Sequence, residues 1–440
     1  MAALASVGVL TMLVSVGCGS NDGGSSSGGK KGSAQTATIK VVTWSWPFLP
    51  IAVEQFEKAH PGVKIEVQAS VTGQQYFDNL ARTLPVSGAD ISVLQAIPGP
   101  FKSMQEAGQL ENLNSVWEDE GLADAYPPAV VESYTAPNGN HYAINVDTFF
   151  SPIIWYNKDA LAKAGIQPPA ERIGSQEELL SMGKALQEAG YVPIALESDN
   201  NGASWAFSVA LQSSCGDEGF ANLTTSWDPE VAITTSWTDA CVINALDTVS
   251  LYAKNGLYGP HFATQKQAQA RTLFMEGKAG MLVSGSYFDT LFPDPESDYH
   301  VKFPYGWTLY PPVPGGAPTK IHVFALDALG VNARSKNKEL AKEFLALIAS
   351  KEFNSQPEVQ AGLPGIQPRS DVDFAPDTAP ARTEITKAAT GSIGAVQNLT
   401  ASVPWQSSIN SEVLNMLAGQ TDADAVAQRF AKLNDKARAR

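Results

Sequence analysis

The chain has 440 residues, with 30 Lys and Arg against 45 Asp and Glu and a formal charge of −15. That balance, with no basic cluster beyond the pair Lys30-Lys31, excludes nucleic acid and anionic lipid surfaces as partners, because both demand basic patches. Roughly 400 residues beyond the N-terminal segment are too many for one core, so two domains of ordinary size are expected.

The N-terminal 37 residues stand apart. Ala2 to Gly17 is apolar and uncharged, Cys18 follows, and Gly and Ser dominate Gly19 to Ala37. The apolar run is short for a bilayer span, which takes about 17–25 residues, and suits a signal-peptide core. Ser15-Val16-Gly17-Cys18 resembles a bacterial lipobox, with Ser15 in place of the usual Leu. That resemblance implies a signal peptide over 1–17, lipidation of Cys18 and an anchor at the outer face of the cell membrane, since several acyl chains hold stably where one is marginal. A cleaved secretory signal without lipid is the alternative. Residues 18–37 read as a flexible tether, too poor in apolar surface to offset its ordering entropy, with a reach of roughly 25 Å. No other run is long enough to cross a bilayer, which excludes a permease.

The folded part opens with a β-branched strand, Ala37 to Trp44, then Pro47 and an amphipathic helix from Ile51 to Ala59. After the turn His60-Pro61-Gly62, the residues Val63 to Val67 alternate as a strand. A helix near Tyr76 to Leu84 and a strand from Asp90 to Leu94 follow. Strands alternating with helices predict an α/β fold with a parallel or mixed sheet. Helices are predicted at Pro100–Ala107, at Lys158–Lys163 and at Ser175–Glu188, the last opening with Ser175 and Glu178 as a capping box. From Trp205 onward the chain turns helical. A helix ending at Gly277 gives way to a strand from Ala279 to Val283, so Gly277 reads as a C-cap. Gly277-Lys278 is no nucleotide loop, for no glycine lies five residues earlier. The Pro- and Gly-rich Pro311–Pro318 reads as a connection between larger units, and Lys336–Ser350 as an amphipathic helix.

Cys215 and Cys241 remain once Cys18 is set aside, an even count that in an oxidising compartment points to a disulfide contributing about 3.5 kcal/mol on the chain-entropy model. Metal ligation is the alternative, although neither has a Cys or His at ligand spacing. The histidines His60, His141, His261, His300 and His322 are scattered and read as surface or capping residues. No nucleophile elbow, zinc-protease pair, dinucleotide fingerprint or calcium loop occurs. A glycosidase would need two carboxylates flanking a cleft, which spacing along the chain does not test.

Several segments match one known family in order. Asn138-Gly139-Asn140-His141-Tyr142-Ala143-Ile144 leads to Trp155-Tyr156-Asn157-Lys158-Asp159-Ala160-Leu161. Phe274-Met275-Glu276-Gly277-Lys278-Ala279-Gly280-Met281 leads to Gly285-Ser286-Tyr287, and Ser335-Lys336-Asn337-Lys338-Glu339 opens a helix. Gly362-Leu363-Pro364 and Pro368-Arg369-Ser370-Asp371 close the set. In this order the chain resembles the extracellular solute-binding proteins of ABC importers, within the carbohydrate-binding group that includes maltose-binding protein. The resemblance implies a two-lobe periplasmic-binding-protein-like fold with an interlobe ligand cleft and a hinge. Residues 38–148 with 318–372 would form one lobe, and 149–317 with 373–440 the other. It further implies a monomer that binds a sugar, delivers it to a membrane permease, uses no cofactor and catalyses nothing. A non-sugar polar solute such as glycerol phosphate, or a surface role without transport, are the alternatives.

Sugars present hydroxyls for directional hydrogen bonds and flat C–H faces for stacking, so their sites pair aromatics with Asp, Asn, Gln and Arg. Trp44 and Trp46 are expected to share one face at the end of the first strand. Tyr287, with Ser286 beside it, matches the family's stacking aromatic, and Trp205 a second one after the polar loop carrying Asn201. Asp147 stands where the family supplies a carboxylate. Gln74, Gln75 and Gln95 follow predicted strands. Arg369 matches the family's arginine, with a salt bridge to Asp371 or Asp373 as the alternative use of its fork. Asp327 lies in a segment, His322 to Leu326, that lacks the family's glycine pair.

Overall fold

The computed structural model describes residues 36–69, 74–96, 100–199, 201–293, 297–363, 368–373 and 380–439. The N-terminal segment with Cys18 lies outside them. Two sheets organise the chain. The first carries β1 (Ala37–Val42), β2 (Val63–Gln68), β3 (Ile91–Gln95), β4 (Ile144–Phe150), β9 (Ile321–Val331) and β10 (Ala395–Gln397). β1 pairs in parallel with β2 and β3, while β9 runs antiparallel to β3 and β4. The second sheet has the order β6 (Val192–Ala195), β7 (Ala279–Ser284), β5 (Ile153–Asn157), β8 (Tyr305–Thr308). The expected mixed α/β class is what the sheets show.

Three hydrophobic clusters fill the spaces around the sheets. One core draws on Ile39 to Val146 and on Ala328 to Leu363. A second draws on Ile154 to Phe324 and on Leu399 to Phe430, and a third packs Phe150 and Trp155 with Phe288, Ile321 and Ile385. All five residues of β5 are buried, as are all six of β7, which explains why neither shows period-two alternation. The antiparallel pair β4–β9 runs through both regions: Ile144 and Leu329 lie in the first core, Phe324 in the second, and Phe150 and Ile321 in the third. This ribbon joins the two lobes.

Local signals land close to the elements they predicted. Helices span Leu49–Ala59, Gln74–Thr83, Pro100–Glu106, Lys158–Lys163, Gln176–Glu188 and Lys338–Ala349. Gly277 follows the helix Gln267–Met275 at φ 69°, the left-handed conformation a helix stop requires. The capping box is only half formed. Ser175 Oγ accepts from the Glu178 amide at 3.2 Å, but the Glu178 carboxylate reaches past Ser175 to the Gly174 amide at 2.9 Å. Gly174 allows this because a Cβ there would lie 2.8 Å from that carboxylate oxygen. Cys215 and Cys241 form the disulfide, tying the helix Gly202–Thr225 to the helix Ala240–Lys254.

Two expectations need correction. β1 stops at Val42, so Trp44 and Trp46 do not share a strand face: Trp44 is half-buried against Phe77, whereas Trp46 is buried and stacked on Phe48 at 5.6 Å. His322 is neither a surface nor a capping residue. It is 1 % exposed, with Nδ1 3.0 Å from Ser208 Oγ, and burial pushes its imidazolium pKa down to about 3.

Candidate functional site

The first sheet presents its strand ends to the lobe junction. β1 runs into Thr43 and Trp44, and β3 ends at Gln95, which pairs with Asp327 of β9. On the other side of β9, Asp327 pairs with Asp147 of β4. Register irregularities flank Asp147 on both sides, and such bulges re-aim side chains at functional edges. The Asn145 amide absorbs the carbonyls freed there, donating to Asp147 O at 3.2 Å and Asp327 O at 3.3 Å.

Two carboxylates therefore face each other in a buried place, Asp147 at 6 % and Asp327 at 8 % exposure. Burial pushes Asp327 up to about 7, held from rising further by the Gln95 amide, which donates to its Oδ1 at 3.4 Å, and by neighbouring Trp44. Asp147 is raised well above the usual carboxylate range, first by burial and then by Asp327, with Arg382 pulling it back. The Arg382 side chain is fully buried. It extends from the helix Pro380–Thr390, its Nη1 donating to Leu363 O across the lobe junction while its backbone amide bonds Asp289 Oδ2 at 2.9 Å.

Several polar atoms in this place are buried without an intramolecular partner: Thr43 Oγ1, Gln95 Oε1 and Asp147 Oδ1. The Trp44 indole N–H lies near Asp327 but closes no hydrogen bond of good geometry. Buried polar atoms in native proteins are nearly always paired, so a cluster of exceptions at the ends of β1 and β3 and at the bulge in β4 marks a site built for an outside partner. Its chemistry is neutral to acidic and rich in acceptors, which suits hydroxyl groups.

An aromatic ladder continues from the carboxylates into the second lobe. Phe149 stacks on Phe324 at 5.1 Å, one step along the ribbon. Trp205 meets Phe324 edge-on at 5.7 Å, and Tyr287 meets Phe149 edge-on at 5.4 Å. Tyr287 sits in the turn after β7, half-buried, with its ring folded over Gly285: a Cβ on Gly285 would come within 2.3 Å of that ring. Only glycine permits this seat. Behind the ring, Arg271 donates to Glu197 through Nε at 2.8 Å and to the Tyr287 hydroxyl through Nη2 at 3.0 Å.

Of the residues singled out from the sequence, Trp44, Gln95, Asp147 and Asp327 come together, and Tyr287 and Trp205 join them through Phe149 and Phe324. Others are placed elsewhere. Trp205 itself is 2 % exposed, so it borders the ladder from within the core. Trp46 belongs to the first core. Arg369 is spent on Asp371 at 2.9 and 3.0 Å and on the carbonyls of Glu120 and Ala349. Ser286 ties its turn to β4, with Oγ accepting from Phe150 N at 3.1 Å. Asn201 begins the helix Gly202–Thr225, its carbonyl accepting from Trp205 N. The helix of Gln74 and Gln75 is described, but their side chains lie outside the described residues. Sequence reasoning missed Phe149, Phe324, Glu197, Arg271 and Arg382. Glu197 carried a faint signal, as the first charge after the apolar run Val192 to Leu196; the two arginines carried none.

Among the described residues no group of three or more His, Cys, Asp or Glu is arranged to hold a metal, and no helix is long and apolar enough to cross a membrane. The family model of bacterial extracellular solute-binding proteins matches residues 47–354. An uncharacterized ABC transporter extracellular-binding protein of Pyrococcus horikoshii is 24% identical over 327 residues, covering 73% of this chain and 68% of that one. An sn-glycerol-3-phosphate-binding periplasmic protein of Pectobacterium atrosepticum is 28% identical over 120 residues, 26% of either chain. Among solved structures, a chitin oligosaccharide binding protein superposes with a TM-score of 0.77 at 20% identity, covering 92% of this chain and all of its own. The likeness in structure is one of fold: two lobes joined through a hinge, with a cleft between them.

Proposed function

We propose, for a chain that belongs to the bacterial extracellular solute-binding proteins, that the cleft between its lobes captures a carbohydrate and delivers it to the membrane permease of an ABC importer. One observation carries the reading. Unpaired buried polar atoms of Thr43, Gln95 and Asp147 stand at the foot of an aromatic ladder ending in half-buried Tyr287. Hydroxyls would satisfy the first group while a sugar face stacks on the second. The chitin oligosaccharide protein of the same fold makes a sugar the first class to test.

A phosphate-bearing solute fits less well, despite the glycerol phosphate relative. Asp147 and Asp327 offer it no cation, Arg271 is paired with Glu197, and Arg382 faces Asp289 and Asp147. On this reading the lobes are residues 38–148 with 318–372, and 149–317 with 373–440, and β4–β9 is the hinge. The ligand closes it by binding the closed form more tightly than the open one. No reaction is catalysed. A lipid on Cys18 and the tether over 18–37 would confine a monomer near its permease and raise its effective concentration.

The test is a thermal-shift screen of the tether-free chain against mono-, di- and oligosaccharides and glycerol phosphates. A ligand that binds only the folded state stabilises it by about 2.7 kcal/mol at a hundredfold excess over Kd. A shift with one sugar class supports the proposal; a shift with glycerol phosphates alone, or with nothing, sinks it.

A further inference from the structure

The Tyr287 ring is half-buried, as is Phe149 beside it, and it is fixed by several neighbours. Its ring lies over Gly285, its edge meets Phe149, and its hydroxyl is 3.0 Å from Arg271 Nη2 and 2.9 Å from Ser284 Oγ. Arg271 is in turn fixed. Its Nε donates to Glu197 Oε1 at 2.8 Å, its Nη2 to Oε2 at 3.3 Å, and its guanidinium lies over the rings of Phe288 and Tyr299 at 4.8 and 5.2 Å. Glu197 is fully buried and also accepts from Ser284 Oγ at 3.0 Å and Gln267 Nε2 at 3.1 Å.

Stability gives no reason for such an arrangement. A buried ion pair is costly to desolvate, and volume-matched apolar residues commonly serve a core as well or better. What apolar residues cannot supply is a rigid two-pronged donor aimed at one phenol oxygen. We propose that Arg271, locked to Glu197, is a positioning residue that presents the Tyr287 ring to the ligand in a preset orientation. The inference rests on the carbohydrate reading of the cleft. With its hydroxyl engaged by Arg271 and Ser284, and Arg271 also over its ring at 5.8 Å, Tyr287 meets the ligand through its ring rather than its hydroxyl. A ring already ordered before binding avoids the loss of side-chain freedom on association, an advantage of about tenfold in affinity.

The test is a double-mutant cycle between the apolar pair Glu197→Leu/Arg271→Met and Tyr287→Phe, read by calorimetry with the sugar that the thermal screen identifies. Arg271→Lys serves as a second variant, keeping the charge beside Glu197 while losing the fork. The expected result is an affinity loss of about tenfold for the apolar pair and for Arg271→Lys, shrinking to less than about twofold in the Tyr287→Phe background, with the melting temperature little changed. Equal losses in both backgrounds, or no loss, overturn the proposal. A ligand-free readout separates this failure from failure of the sugar reading. In 3-fluorotyrosine-labelled protein, the fluorine line that disappears in Tyr287→Phe is expected to broaden or move in Arg271→Lys. If no sugar binds but the line still responds, the orienting role stands and the ligand class falls; an unmoved line overturns the orienting role whatever binds.

Discussion

Raising the pH from about 5 to 7 is expected to destabilise this protein, the reverse of the usual effect of a titrating carboxylate. Asp327 is pushed up to about 7 from its ordinary 3.8, chiefly by burial. A group that holds its proton more tightly when folded gives the folded state the larger proton count between those two values. Its contribution is therefore fully present below 3.8, is lost as pH rises toward 7, and is constant above. A gap of about 3 units at ~1.4 kcal/mol each corresponds to a loss of about 4 kcal/mol, with a limiting slope near 1.4 kcal/mol per pH unit. The surrounding groups leave the sign intact. Asp147 is raised in the same direction and is opposed by Arg382, while Gln95 and Trp44 oppose the rise of Asp327, and buried Tyr134 on the adjoining helix is raised well above its ordinary value and stays neutral. Carboxylates held low by cations, Asp217 by Lys320 and Asp371 by Arg369, keep their stabilisation above 3.8 and lose it only at lower pH. The assay is urea unfolding of the ligand-free chain in steps from about pH 5 to pH 8, repeated for Asp327→Asn, which keeps the shape and removes the charge. The variant is expected to flatten the slope and to be more stable than the native chain at the alkaline end by a few kcal/mol. Stability that is constant or rising over that range in the native chain, or an equal slope in the variant, would refute the reasoning.

Three further outcomes can be checked. Replacing both Cys215 and Cys241 by Ser opens a loop with a sequence separation of 26 and is expected to cost about 3.5 kcal/mol in denaturant unfolding; an unchanged midpoint would show that the bridge does not constrain the unfolded chain. Gly285→Ala drives a methyl group into the Tyr287 ring and is expected to weaken sugar binding by at least about tenfold while the lobes remain folded, as calorimetry beside circular dichroism would show. Arg382→Met removes the buried cation beside Asp289 and Asp147 and its bond to Leu363 and is expected to cost about 3–5 kcal/mol in denaturant unfolding; an unchanged midpoint would show that the cation is not needed to hold this buried cluster.

The sequence by itself determined the α/β class and the elements with strong local signals, the strands near 37–44, 63–67, 90–94 and 279–283 and the helices between them, whereas β4 to β6 and β8 to β10 and several short helices carried none. Period, caps and turn residues act within a few positions of one another, and those local preferences survive folding. It also placed Gln95 at the end of a strand, because a strand's end is a local property, whereas Asp147 was legible only through the family resemblance and lies inside β4. Tertiary structure decided the rest. That Asp147 and Asp327, 180 positions apart, face each other follows from the β4–β9 register, which no local pattern encodes. Trp44 and Trp46 look equivalent in sequence, yet one borders the junction and the other stacks on Phe48, because the strand ends two residues before Trp44. Arg369 carries a motif's arginine and spends its fork on Asp371 and two backbone carbonyls. Arg271 and Arg382 sit in unremarkable helical sequence, and only folding removes them from water and sets them against carboxylates from distant segments. Burial turns an ordinary charge into a constraint on its neighbours, and burial is a property of the assembled fold.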